Sequence, residues 1–262
     1  MNIIVCIKQV PASSQVQINP VTGVLMRDSN NSKMNPYDLY ALEAALRLKE
    51  TNDATVTVIT MGPPSSQTVL EEALWMGADD AYLITDRKFA GADVVATSYT
   101  ISSGIKKAGT FDLIICGKQT TDGDTAQVGP EIAECLHIPH MSYVDKIIDV
   151  KDQSILVGVS MDKTTEQWEI AFPCLITVDK GIYTPRLPSY KRSKELKEFK
   201  VKVLTFADFD DQDESHYGLK GSPTQVERMF PPQKNTDKEV WNGTNKQLAE
   251  QMFQKMKDLK IL

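Results

Sequence analysis

The stretch FDLIICGKQTTDGDTAQVGPEIAECLHI, residues 111–138, sets the reading of the whole chain. It opens on a short apolar run, 111–117, of the kind that forms a buried strand. A polar loop follows, with Asp122 and Asp124 beside Gly117 and Gly123. Apolar residues then recur at helical spacing over 125–138. Strand, polar loop and helix make half of a parallel crossover unit. Pro130 lacks the N–H that an interior turn needs, so the helix either loses a bond there or begins later than Thr125.

The same alternation runs back to the N-terminus. IIVCIK (3–8), ATVTVITMG (54–62) and DAYLIT (80–85) read as strands. NPYDLYALEAALRLKE (35–50) reads as a helix, with Asn35 able to cap it, Pro36 at its first position and Asp38 in its first turn. SSQTVLEEALWMGAD (65–79) reads as a second helix stopped at Gly77, and GADVVATSYTISSGIKKAG (91–109) as a third. Four such strand–helix units predict an α/β fold, a mostly parallel sheet with helices on both faces. Ligands of these sheets bind beyond the carboxyl ends of the strands, near a switch in strand order. Those ends fall at Lys8, Met61, Asp86 and Gly117.

The second half reads differently. The segments 141–150, 154–161, 166–172 and 174–180 are consecutive strands with no helix between them, expected as antiparallel hairpins extending the sheet. After Lys180 the periodicity dissolves into proline, basic and acidic stretches, a breaker at 230–235, and a short amphipathic helix within 244–262. This divides the chain into an α/β domain, 1–183, and an extended arm, 184–262. Such arms wrap a partner, the alternative being an extension packed on its own domain.

Of the 262 residues 41% are hydrophobic and 24% charged, with a net charge of −6. An acidic chain argues against nucleic acid, whose phosphates want a basic face. No apolar run approaches the ~20 residues of a membrane span. The start, MNIIVCIKQV, lacks the features of a signal peptide, so a cytoplasmic protein is expected. Cys6, Cys116, Cys135 and Cys174 are scattered and read as reduced thiols, mostly in the core. His137, His140 and His216 have no metal-ligand spacing.

The loop after 117 suits an anion. Gly117 lets another group approach the backbone, Lys118 supplies positive charge, and the first amides of the following helix can accept a phosphate. Asp122 and Asp124 are then left to bond ribose hydroxyls, cap the helix or brace the loop. Asp124 with Gln127 resembles a capping box. A capped loop with no ligand remains the alternative. Neither G-x-G-x-x-G nor a P-loop lysine motif is present. The residues by themselves point to an adenine nucleotide or similar group at the carboxyl edge of the sheet. No catalytic constellation stands out, so any chemistry belongs to a cofactor.

VCIKQV (5–10), MNPYDLYALEAALRLKE (34–50), TMGPPSSQTVLEEALWMGAD (60–79), CGKQTTDGDTAQVGPEIAE (116–134) and YTPRLPSYKRSK (183–194) occur in that order. Together they resemble the β subunit of electron transfer flavoproteins. The resemblance implies a heterodimer with a larger, FAD-carrying α subunit and a nucleotide buried in this chain's α/β domain. That nucleotide is AMP in respiratory members. In an anaerobic class it is a second FAD, reduced by NADH, from which electrons go both to ferredoxin or flavodoxin and, through the α-subunit FAD, to an acyl-CoA dehydrogenase-like partner. This is electron bifurcation. The implied nucleotide positions are Cys6, Asn35, Pro36, Tyr37, Asp38, Met61, Gly117, Lys118, Gln119, Thr120, Thr121, Asp122, Gly123, Asp124, Thr125, Ala126, Gln127 and Val128. Leu187 becomes the anchor of a loop docking the dehydrogenase, or else packs on its own domain.

FAD is the expected nucleotide, with AMP the alternative. Thr125 to Val128 depart from the Asn-Gln-Thr-Gly of respiratory members, and Gly123 and Ala126 leave room for a pyrophosphate. Gly91 and Ala92, with Asp93 after them, leave room for a flavin ring near Phe89. A stand-alone nucleotide-binding sensor of the same fold is the third reading; the stretch from 184 onward argues against it.

Overall fold

In the computed structural model, residues 1–12, 32–227 and 238–262 are described, with two further pairs of residues as backbone. The chain forms two units, Met1–Glu227 and Arg228–Leu262. In the first, β1 (Asn2–Cys6), β2 (Gln9–Pro11), the two-residue strands β3 (Gln17–Ile18) and β4 (Leu25–Met26), and β5 (Ser32–Met34) lead into α1 (Pro36–Asn52). Then come β6 (Thr55–Met61), α2 (Gln67–Met76), β7 (Asp80–Ile84), α3 (Val94–Ala108), β8 (Leu113–Gly117) and α4 (Val128–Leu136). β9 (His140–Val144), β10 (Lys146–Val150), β11 (Ser154–Ser160), β12 (Thr165–Ala171) and β13 (Cys174–Val178) follow, then α5 (Tyr190–Glu195) and β14 (Lys202–Leu204). The second unit holds α6 (Asn245–Asp258), whose first turn is closed by a Thr244–Gln247 capping box.

The central sheet has seven strands in the order β14-β7-β6-β1-β8-β13-β9, every pair parallel. Alternate residues of each strand serve opposite faces. Val5, Val58, Ile115 and Ile176 pack on one side with Leu42 and Leu46 of α1 and Leu70 and Leu74 of α2. Ile4, Ile59, Ile114 and Leu175 pack on the other with Ile101 and Ile105 of α3 and Ile132 of α4. Both faces are covered, so the strands are apolar almost throughout.

The α/β class and the first four units are as read from the sequence. Gly77 ends α2 in a left-handed conformation, φ 141°. Pro130 is the third residue of α4, where no intrahelical N–H bond is needed. The second half differs from expectation. The run 141–150 is two strands: β9 joins the central sheet and β10 leaves it. Of the strands expected as hairpins, β10, β11 and β12 alone pair antiparallel, as a separate three-stranded sheet. β13 inserts parallel between β8 and β9. Each of its five residues is buried, the pattern of an interior parallel strand rather than a one-faced hairpin strand.

The expected boundary after 183 also shifts. β14 pairs with β7 and lengthens the central sheet. Phe206, Phe209 and Tyr217 bury their rings around Phe89, with centroids 5.5 Å (Phe209) and 5.6 Å (Tyr217) from it. Residues up to 227 therefore belong to the first unit. The breaker at 230–235 lies outside the described residues. No described helix is long and apolar enough to cross a membrane.

Candidate functional site

From β1 the strand order runs outward one way through β6 and β7, and β8 lies on its other flank. The crevice of such a sheet opens at this reversal. Cys6 and Cys116, buried and free, are register partners across it. The first turn of α1 and the loop 118–127 both meet the sheet there.

Asn35 is fully buried and makes no helix-capping side-chain bond, against expectation. Its Nδ2 donates to Asp38 Oδ1 at 2.9 Å and to the Gln119 carbonyl at 2.9 Å, while its Oδ1 accepts from the Thr121 N–H at 3.2 Å. Asn35 is thus a splint between α1 and the loop. Pro36 begins α1, with the half-buried Tyr37 after it. Asp38 is 4% exposed, and its Oδ2 accepts from the Lys8 N–H at 2.8 Å. Burial pushes its pKa up to about 7, against Asn35, the backbone N–H groups of Lys8 and Gly117, and the Lys8 charge.

Gly117 is needed for packing. A Cβ there would lie 2.4 Å from Asp38 Oδ1 and 2.7 Å from the Tyr37 carbonyl carbon. The group approaching this glycine is α1 itself. At Gly123 a Cβ would meet only Thr120 Oγ1, at 3.5 Å. The fold has no steric use for a glycine at 123.

Charge in the loop is balanced internally. Lys8 Nζ pairs with Asp122 at 2.8 Å. Burial works to raise the Asp122 pKa, but the Lys8 hydrogen bond and charge and the Thr120 hydroxyl outweigh it and hold it low. Lys118, expected as the local cation, turns to Asp179 at 3.0 Å and lies 4.9 Å from the Tyr143 ring centre. Lys8 faces the loop instead. Its signal in the sequence is its place directly beyond a strand end. Asp124 accepts from Gln119 Nε2 and does not cap the helix; the cap position is Gln127, with no side-chain bond. Asp124 and Ala126 both have left-handed backbone, φ 55° and 56°. For Ala126 that is strain, a feature concentrated at functional sites.

Just after this strained segment, α4 begins. Among the described residues none accepts a hydrogen bond from the N–H of Thr125, Ala126, Gln127, Val128 or Gly129. Consecutive amides without an acceptor at a helix N-terminus can accept an anion, and Lys8 reaches the same loop at Asp122.

Met61 ends β6, the next strand along, and is half-buried. In the 89–93 segment Phe89 and Asp93 are taken up by packing and capping, while Ala90 and Gly91 are exposed. Phe89, expected beside a flavin ring, is 3% exposed inside its aromatic cluster. Gly91 answers a φ of 74°, with Leu219 against it. Ala92 is half-buried. Asp93 caps α3 through the Ala96 N–H at 3.1 Å and also accepts from Thr224 Oγ1 at 2.7 Å. The sequence held no signal for this, because residues 217–224 are distant in the chain. Leu187, by contrast, stands 87% exposed between Pro185 and Pro188.

Comparison with known proteins agrees with the fold. The electron transfer flavoprotein domain family matches residues 22–204. The chain is 45% identical over 258 residues to the electron transfer flavoprotein subunit beta of Clostridium acetobutylicum, covering 98% of each. It is 42% identical over 264 residues to the caffeyl-CoA reductase-Etf complex subunit CarD of Acetobacterium woodii, covering 100% of each. To protein FixA of Azorhizobium caulinodans it is 43% identical over 244 residues, 91% of this chain and 87% of that one.

Proposed function

The chain belongs to the electron transfer flavoprotein family as a β subunit, and from that premise we propose that it binds FAD at the β1–β8 switch point. In this reading NADH is the reductant. Electrons pass to ferredoxin or flavodoxin and, through the FAD of the α subunit, to an acyl-CoA dehydrogenase-like partner, by bifurcation. The name of the CarD relative, from a caffeyl-CoA reductase complex, favours the acyl-CoA side. Membership in a family of paired subunits leaves the stand-alone sensor reading without support. The second unit, with its exposed Met252 and Phe253 on α6, is proposed to wrap the α subunit.

One observation carries the nucleotide assignment: the run of amides from Thr125 to Gly129 that have no acceptor among the described residues, beside Gly123, which the fold itself does not need. The residues fit a dinucleotide's phosphates. The Lys8–Asp122 pair is roughly one-third to two-fifths exposed, and such a pair contributes at most about 1 kcal/mol. Lys8 can therefore exchange Asp122 for a phosphate oxygen at little cost. Asn35 and Asp38 hold the loop still, and Asp122 and Asp124 are the residues that would bond ribose hydroxyls. A flavin bound there would supply hydride acceptance and one-electron release.

The second reading, structural AMP, is favoured by one finding. Phe89 is committed to the core, which removes the ring neighbour expected for a flavin. Extraction of nucleotides from the purified αβ heterodimer decides between them. Two FAD and no AMP per heterodimer is the expected result; one of each makes the protein a single-flavin shuttle.

A Gly123→Val substitution tests the site independently. Thermal stability of the nucleotide-free chain should change by no more than about 0.5 kcal/mol, as at other open surface positions. Nucleotide occupancy should fall at least about tenfold, because the side chain projects where the ligand approaches. Full occupancy in the variant places the nucleotide elsewhere.

A further inference from the structure

Leu187 is exposed, yet the chain on both sides of it is fastened. Before it, Arg186 binds Glu43 of α1 through its backbone N–H at 3.1 Å, Nε at 2.8 Å and Nη2 at 3.2 Å. Its Nη1 reaches Glu50 Oε1 at 2.5 Å, two turns further along the same face of α1. Glu43 is a 2% exposed carboxylate, and Arg47 Nε completes its set of donors at 2.9 Å. After Leu187, the Ser189 N–H donates to the Trp75 carbonyl at 3.0 Å. Arg192 spans the end of α2, with Nε on the Leu74 carbonyl at 3.0 Å and Nη2 on that of Ala78 at 2.9 Å. Pro185 and Pro188 fix their own φ angles and hold Thr184 and Leu187 extended.

A loop kept only for connection needs none of this. A buried carboxylate satisfied by a forked guanidinium is a costly device, and here it holds one exposed leucine. We propose that Arg186 is a positioning residue: by its fork on Glu43 and Glu50 it keeps the Leu187 loop preformed for docking the acyl-CoA dehydrogenase. This rests on the proposed function and on the docking role that the family resemblance implies for Leu187. A preformed loop does not lose its backbone freedom at the moment of docking, so it binds more tightly than a free one. The same helix that holds Asp38 at the nucleotide loop thus holds the docking loop, five residues further on.

The test uses the full heterodimer with a butyryl-CoA dehydrogenase that the native protein reduces. Arg186→Lys keeps the charge and loses the fork. It should raise KM for the dehydrogenase about tenfold, equivalent to ordering roughly one residue on docking, with kcat within about twofold. NADH-driven reduction of a small dye should be unchanged. The amide of residue 186 should exchange faster in the variant, since its acceptor is released. Leu187→Ala is run in parallel. If it raises KM and Arg186→Lys does not, the positioning role is overturned while the docking role stands. If neither raises KM, the docking reading fails and the positioning role falls with it. A kcat loss without a KM change also overturns the proposal. Should Arg186→Lys fold poorly, Arg192→Gln releases the other pin and must show the same KM rise; an unchanged KM there rejects a preformed loop.

Discussion

Gly117→Ala is expected to lower the melting temperature of the chain by about 10 °C, or to prevent folding, although it adds a single methyl group. The methyl would lie 2.4 Å from Asp38 Oδ1 and 2.7 Å from the Tyr37 carbonyl carbon. Neither can swing away: the first is bonded to Asn35 at 2.9 Å, and the second is backbone in the first turn of a helix with Leu42 and Leu46 in the core. Overpacking alone costs about 1–3 kcal/mol. Displacing Asp38 would also strand the N–H of Lys8 and one of the two N–H groups of Asn35 Nδ2, at about 1–3 kcal/mol per buried donor. A total of about 3–9 kcal/mol converts to about 10 °C or more in a domain of this size. Differential scanning of Gly117→Ala beside Gly123→Ala is the measurement. The 123 variant should melt with the native chain, since its methyl meets nothing closer than 3.5 Å. Equal melting of both variants would show that α1 does not abut the strand end, and would remove the frame on which the nucleotide loop rests.

How far the sequence alone reached depended on the range of the interaction. The strand–loop–helix at 111–138 was legible because each element carries its own period, and Pro130 even marked the later start of α4. The carboxyl-edge location followed from chain order. What escaped were contacts across the chain. Asn35 has the chemistry of a cap, and its local sequence says so. Only the folded loop, 84 residues on, offers Gln119 as an alternative acceptor. Lys8 was passed over for Lys118 because the partner of each, Asp122 and Asp179, is set by tertiary geometry. Phe89 read as a ring beside a ligand because its cover, Phe206, Phe209 and Tyr217, comes from a segment whose composition resembles a loose arm. β13 is the instructive case: the five apolar residues of CLITV were themselves the sign of an interior parallel strand, and the run of neighbouring strands obscured it.

Asp38→Asn is expected to change how stability depends on pH, by an amount large for one residue. In the folded chain burial raises the Asp38 pKa from 3.8 to about 7. The protonated carboxyl is therefore the form that folding favours. Its contribution is fully present below about pH 3.8 and is lost as the pH rises through about 7. The distance between those two values corresponds to at most about 4 kcal/mol. An asparagine at 38 keeps one oxygen to accept from the Lys8 N–H or Asn35, and it cannot ionise. The stability of the native chain minus that of the variant should accordingly fall by up to about 4 kcal/mol between pH 4 and pH 8, with most of the slope below pH 7. Urea unfolding of both proteins across that range gives the difference directly, and titrations common to the two cancel. A flat difference would mean that the donors from Asn35, Lys8 and Gly117 fully offset the burial and leave an ordinary carboxylate at the site. A fall of the expected size means that above pH 7 the nucleotide loop is held by a buried, ionised Asp38. Asn35 would then be needed most there, because its Nδ2 is the side-chain donor that meets that charge.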